Sequence, residues 1–161
     1  MENELLSLSS QVGDILTEGY LTIAAAESCT GGLLSHILTG VSGSSAYFIG
    51  GVVAYSNRIK ETVLGVSIDT LEKFGAVSAQ TAQEMAQGIA EKFHTAIGLS
   101  TTGIAGPTGG TPEKPIGLVW IGIHFKGKTY AHECHFDGDR EAVKTKTVNE
   151  ILIRLLVLLK S

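Results

Sequence analysis

Apolar and polar positions recur along this chain in two different periods, and each change of period marks an element. Leu5, Leu8, Val12, Ile15 and Leu16 repeat at helical spacing, which predicts an amphipathic helix over residues 3–18 that Gly19 ends. The run L-T-I-A-A-A at 21–26 has the character of a buried strand, and Glu27-Ser28-Cys29-Thr30-Gly31-Gly32 breaks it as a tight polar turn. A helix then runs to about Thr39, where Gly40 closes it. Residues 41–47, V-S-G-S-S-A-Y, read as a loop of small residues. Phe48 to Tyr55 reads as a buried strand with a bulge or close backbone approach at Gly50-Gly51.

The second half continues the alternation. Ser56-Asn57 is a good cap for a short helix through Lys60 to Leu64. Asp69 is expected to cap a short turn of helix ending at Gly75, and Ser78 to cap the next helix. That helix carries Ala79, Ala82, Met85, Ala86, Ile89, Ala90 and Phe93 on one stripe, and its alanines let it pack closely on a sheet. Thr95 to Thr102 predicts a strand that runs into a glycine-rich loop, Gly103 to Thr111. Gly117–Phe125 and Lys128–Phe136 flank Lys126-Gly127, a hairpin signal. Asp137-Gly138-Asp139 opens a last helix whose stripe of Val143, Val148, Ile151, Leu152, Leu155 and Leu159 reads as core rather than interface. These elements predict an α/β protein, a three-layer α/β/α sandwich with a mixed, mostly parallel sheet that includes one antiparallel hairpin. One domain, residues 1–161, is expected, without repeats or a linker.

Composition narrows the function classes. With 43% hydrophobic and 17% charged residues among 161, the chain has a real core and is not disordered. Its 20 glycines cluster at 31–32, 50–51, 103–110 and 117, which points to special backbone geometry near a site. The net charge of −4 and the lack of a basic patch with interleaved aromatics argue against nucleic-acid binding. The apolar tail Ile151–Leu159 contains Arg154 and is too short to span a bilayer, and M-E-N-E lacks a signal-peptide pattern. A cytoplasmic protein without a membrane partner is expected. Cys29 and Cys134 form neither a CxxC pair nor a disulfide framework.

Three groups could carry chemistry. Ser28, Cys29 and Thr30 sit where a strand turns into a helix, the end at which open α/β sheets bind ligands. Their bland reading is a helix cap. The loop at 103–110 could face this turn, but neither stretch matches a phosphate-binding P-loop or a dinucleotide fingerprint. Cys29 has a position that favours a thiolate, yet no histidine lies near it in sequence, and small buried cysteines are common. Ser44, Ser45, Tyr55 and Lys60 form the second group. A serine needs a base, and a lysine becomes one where burial lowers its pKa. The spacing of these residues is equally that of a cap, a core tyrosine and a solvated lysine. His124, His132, Cys134 and His135 alternate across a strand pair and do not gather for zinc. Arg140 could grip a phosphate or carboxylate with its fork, or pair with Glu141 or Asp137 at the surface.

Taken together the motifs are more specific than any one of them. A-E-S-C-T-G-G (26–32), G-S-S-A-Y-F (43–48), G-G-V-V-A-Y-S-N-x-x-K (50–60), G-A-V-S (75–78), T-G-I-A-G-P-x-G-G-x (102–111), K-P-x-G (114–117) and F-x-G-D-R (136–140) occur in order. This set resembles the nicotinamide-nucleotide amidases, or NMN deamidases, a domain that also forms the C-terminal part of competence/damage-inducible CinA proteins. The likeness spans nearly the whole chain, which looks like the stand-alone form. It implies hydrolysis of the carboxamide of nicotinamide mononucleotide to nicotinate mononucleotide and ammonia, a recycling step into NAD synthesis. It further implies a serine/lysine mechanism without metal or cofactor, and a homodimer. Carried over by motif, Ser45 would be the nucleophile, Lys60 the base and Tyr55 an aid to the proton path, with Ser28 as reserve nucleophile. Thr30, Gly31, Thr102, Gly103 and Gly106 would line the substrate site, Arg140 would meet the phosphate, and Tyr47 would supply an aromatic wall. The alternative is a nucleotide-binding or regulatory domain without turnover.

Overall fold

Helix α1 (Glu2–Glu18) leads into strand β1 (Ile23–Glu27), the short helix α2 (Leu33–Thr39) and strand β2 (Phe48–Val53). Three helices follow, α3 (Asn57–Thr62), α4 (Ile68–Phe74) and α5 (Ala79–Phe93). Strands β3 (Ile97–Gly103), β4 (Leu118–Phe125) and β5 (Lys128–His135) precede the last helix, α6 (Arg140–Lys160). The structure is a computed structural model that describes residues Met1–Ser161. The five strands form one sheet in the order β2-β1-β3-β4-β5. The mixed sheet expected from sequence is present. Its pairings divide evenly: β1 runs parallel to β2 and β3, whereas β3–β4 and the β4–β5 hairpin are antiparallel.

Strand alternation assigns each face its helices. Ile23 and Ala25 point to one side, into a core shared with Leu5, Val12 and Leu16 of α1, Leu34 of α2 and Ile151, Leu152 and Leu155 of α6. Ala24 and Ala26 point to the other side, where Met85 and Ile89 of α5 meet Leu64 and Val66. Small residues bring α5 close to the sheet. A Cβ on Gly98 would stand 2.0 Å from the Ala86 carbonyl oxygen, so only glycine fits there. The apolar stripe of α6 is core, as its Val143, Val148, Ile151 and Leu152 are fully buried. Each such leucine or isoleucine contributes about 1.5–3 kcal/mol of burial free energy.

Caps follow the sequence closely. Ser56 accepts from the Ile59 N–H, Ser78 from that of Thr81 and Asp139 from that of Ala142. The expected cap at Asp69 is corrected to Ser67, whose hydroxyl accepts from Thr70 N–H. Asp69 instead lies in the first turn of α4, where a carboxylate complements the helix dipole. Tyr47 is also corrected. It is no wall of a site but packs into the core beneath α1, 2% exposed, and its hydroxyl has no partner.

Candidate active site

The carboxyl ends of β1, β2 and β3 lie side by side, because these three strands are parallel. At the end of β1, alternation sends Glu27 to the α2 face and Ser28 to the opposite face. Glu27 is fully buried and accepts hydrogen bonds from the N–H groups of Gly32, Leu34 and Ser35 and from the hydroxyls of Thr30 and Ser35. The protein's own carboxylate thus occupies the start of α2. The N–H groups of Gly32, Leu34 and Ser35 are thereby taken by the chain itself.

Ser28 takes the other side. Its N–H donates to the Thr101 carbonyl oxygen at 2.9 Å, which pins the turn to β3. After β2 the chain passes Ala54 and Tyr55 and enters α3, which carries Lys60 back under the turn. Lys60 is 1% exposed. Its Nζ lies 3.0 Å from Ser28 Oγ and donates to the carbonyl oxygens of Ala54 at 2.9 Å and Tyr55 at 3.1 Å. No carboxylate pairs with it, and burial pushes the amine below its ordinary value of 10.5. An amine with two hydrogens on carbonyls directs its third position, a proton or a lone pair, at Ser28 Oγ.

Ser28 and Lys60 open into a cavity of about 340 Å³. Tyr55 and Asn57 form one wall, Ala76 and Val77 another, and Thr102 to Gly106 with Thr108, Gly109 and Arg140 complete it. Asn57 stands three residues before Lys60 on the same helical face. The Thr102 hydroxyl is held by the Ala76 carbonyl at 2.7 Å. Arg140 joins two walls: Nη1 donates to the Gly106 carbonyl at 2.8 Å and Nη2 to the Tyr55 hydroxyl at 2.9 Å. The N–H groups of Cys29 and Thr30 donate to no other residue, and Cys29 is among the residues lining the cavity. No group of three His, Cys, Asp or Glu side chains is placed to hold a metal ion.

The cluster inferred from sequence is therefore split. Lys60, Tyr55, Ser28, Thr102, Gly103, Gly106 and Arg140 come together. Ser45 does not. It is exposed in a 3-10 turn, Ser44–Ala46, ahead of β2, while Lys60 follows the strand's far end. The six residues of β2, at about 3.3 Å each, set these ends roughly 20 Å apart. Thr30 is also corrected, since its hydroxyl turns inward to Glu27 at 2.6 Å and Thr101 at 2.7 Å. Gly31 sits at the surface outside the cavity lining. Cys29 is buried, and burial pushes its thiol up to about 12. Cys134, on β5, is likewise raised by burial, to about 11. His132 meets Arg154 at 3.0 Å rather than a second metal-binding side chain.

Two residues escaped the sequence reading. Glu27 ends an apolar strand in phase with Ile23 and Ala25, a signal that it points inward beside α2. Asn57 reads from sequence only as part of a cap, although its spacing to Lys60 places both on one face.

A parallel-edged α/β sheet with a buried lysine against a serine at its carboxyl end defines the class. The chain belongs to the CinA C-terminal domain family, whose profile matches residues 5–159. It is 52% identical over 141 residues to a CinA-like protein of Dictyoglomus thermophilum, covering 88% of this chain and 34% of that one. Another CinA-like protein, from Kosmotoga olearia, is 52% identical over 140 residues, covering 87% and 34%. The chain thus spans about a third of the length of these relatives. Among solved structures, the competence/damage inducible protein CihA of Agrobacterium tumefaciens superposes with a TM-score of 0.93 at 39% identity, covering 98% of this chain and 96% of that one. A CinA superfamily protein of Enterobacter cloacae gives 0.93 at 35% identity, covering 96% and 92%.

Proposed function

We propose that this chain is an amidohydrolase that converts nicotinamide mononucleotide to nicotinate mononucleotide and ammonia, with Ser28 as nucleophile and Lys60 as base. The observation that carries the reading is the buried Lys60 amine, without a carboxylate partner, 3.0 Å from Ser28 Oγ. In the neutral state two Nζ–H bonds rest on the carbonyls of Ala54 and Tyr55, and the lone pair faces the serine hydroxyl. Lys60 takes the hydroxyl proton as Ser28 Oγ bonds to the carboxamide carbon. The Cys29 N–H receives the oxyanion. Lys60 then gives its proton to the departing nitrogen, which leaves as ammonia, and the acyl ester remains on Ser28. Water, deprotonated by the same amine, attacks the ester, and Lys60 returns the proton to Ser28. The fixed positive charge of the pyridinium ring activates the carboxamide throughout.

Incubating the purified chain with nicotinamide mononucleotide and measuring ammonia tests the reading. One ammonia is expected per nicotinate mononucleotide formed; no ammonia from folded protein rejects it. The Agrobacterium relative is named a competence/damage inducible protein, and the second reading is a regulatory domain that binds the nucleotide without turnover. Calorimetric binding of the nucleotide without ammonia release is the result that selects it.

A further inference from the structure

Behind the Ser28 turn, on the side away from the cavity, Glu27, Thr30 and Thr101 form a closed chain of hydrogen bonds, and none of the three lines the cavity. We propose that Thr101 is a positioning residue for the reaction: through Thr30 it anchors the turn to the buried Glu27 carboxylate, and so holds the Ser28 hydroxyl and the unpaired Cys29 N–H in register for one reacting carbon. This rests on Ser28 being the nucleophile of the amidase reading, and names what keeps that serine in place.

Threonines stand at 101 and 102 near the end of β3, and strand alternation gives them opposite faces. Thr102 lines the cavity. Thr101 points beneath the turn and is fully buried, as are Glu27 and Thr30. Hydrogen counting sets the direction of the chain. Five donors converge on Glu27, so it stands as a carboxylate that only accepts. The Thr30 hydroxyl places its single hydrogen on that carboxylate at 2.6 Å. Thr101, 2.7 Å from the same hydroxyl, is therefore the donor of the pair. Its oxygen is then left to accept, and Ser28 N–H lies 3.4 Å from it and 2.9 Å from the Thr101 carbonyl oxygen. Both acceptors of the Ser28 N–H thus belong to Thr101. In a buried setting each bond of such a chain polarises the next. Gly31 N–H closes the turn on the Ser28 carbonyl at 3.1 Å, which leaves Cys29 and Thr30 as its middle residues with their N–H groups unpaired. A tilt of this turn would move Ser28 Oγ from Lys60 and the Cys29 N–H from the oxyanion at once. Only the transition state needs both, so the loss falls on kcat rather than KM.

Thr101→Val and Thr101→Ser are compared with the wild-type chain in two assays. One is ammonia release from nicotinamide mononucleotide. The other is phosphorylation of Ser28 by diisopropyl fluorophosphate, followed by mass spectrometry, which needs the serine, its base and the N–H donor but no substrate. Thr101→Val is expected to lower kcat and the labelling rate about tenfold each, to leave KM within about twofold, and to be rescued in both assays by Thr101→Ser. Thr30→Val breaks the chain one link further on. It should reproduce the slowing, and the double variant should be no slower than either single one, because the two hydroxyls act as one unit. A merely structural role would lower Tm and leave labelling of the folded chain unchanged. Unchanged labelling in Thr101→Val, a Thr101→Ser chain as slow as Thr101→Val, additive losses in the double variant, or a wild-type Ser28 that takes no label overturns the proposal. If Ser28 labels and responds in this way but no ammonia is released, the amidase reading falls and the positioning role stands.

Discussion

Two serine-bearing turns flank neighbouring strands of this sheet, and they make opposite use of the same residue type. The turn at 43–46 precedes β2 at the amino end of the parallel strands, is exposed, and is built from Gly43, Ser44, Ser45 and Ala46. The turn at 28–32 follows β1 at the carboxyl end, is tied to β3 through Thr101, and has a buried amine beneath its serine. A hydroxyl becomes chemically useful through what stands behind it. Parallel topology gathers three chain crossings at the carboxyl end and so supplies Ser28 with Lys60, a cavity and free N–H groups. Ser45 has the local sequence of a reactive serine without that backing.

The contrast can be broken by substitution. Ser28→Ala, which removes the proposed nucleophile, should have the largest effect, lowering ammonia release from nicotinamide mononucleotide at least about a thousandfold. Lys60→Met replaces an amine with no ionic partner by a side chain of similar length. It is expected to cost about 10²–10⁴ in kcat while leaving Tm unchanged or raised, because an uncompensated buried amine no longer has to be desolvated. Glu27→Gln forces an amide onto a ring of donors. Loss of about 1–3 kcal/mol of stability is expected by denaturant titration, with a fall in kcat of about tenfold as the Ser28 turn loosens. Ser45→Ala should leave kcat, KM and Tm within error, as befits an exposed hydroxyl remote from Lys60. Cys29 sharpens the contrast differently: with its thiol held up to about 12, alkylation by iodoacetamide at pH 8 should be far slower than for a free cysteine.

Much of the fold was legible because local physics fixes it. The α5 stripe, the Ser56, Ser78 and Asp139 caps and the Lys126-Gly127 hairpin are each set by neighbours within a few residues. The site was legible in its parts and not in its pairing. Lys60 lies nearer in sequence to Ser45 than to Ser28, and the chain's own order suggested the wrong partner. Which serine meets the lysine depends on β1 and β2 running parallel, a long-range fact that puts the start of one strand and the end of the other on different rims. The motif implies Thr30 and Gly31 at the substrate, but Glu27 claims the turn from within, and only the phase of an acid on a buried strand hints at that.

The most direct test of the central claim is the dependence of kcat/KM on pH for nicotinamide mononucleotide. Lys60 acts as a base only when neutral, and burial holds its pKa below 10.5. Activity is therefore predicted to be low where the amine is protonated and to rise to a plateau through a single limb whose midpoint lies below 10.5. The residual activity of Lys60→Met should lack that limb. A limb that survives in Lys60→Met, or a wild-type profile without one, contradicts the assignment of Lys60 as the base behind Ser28.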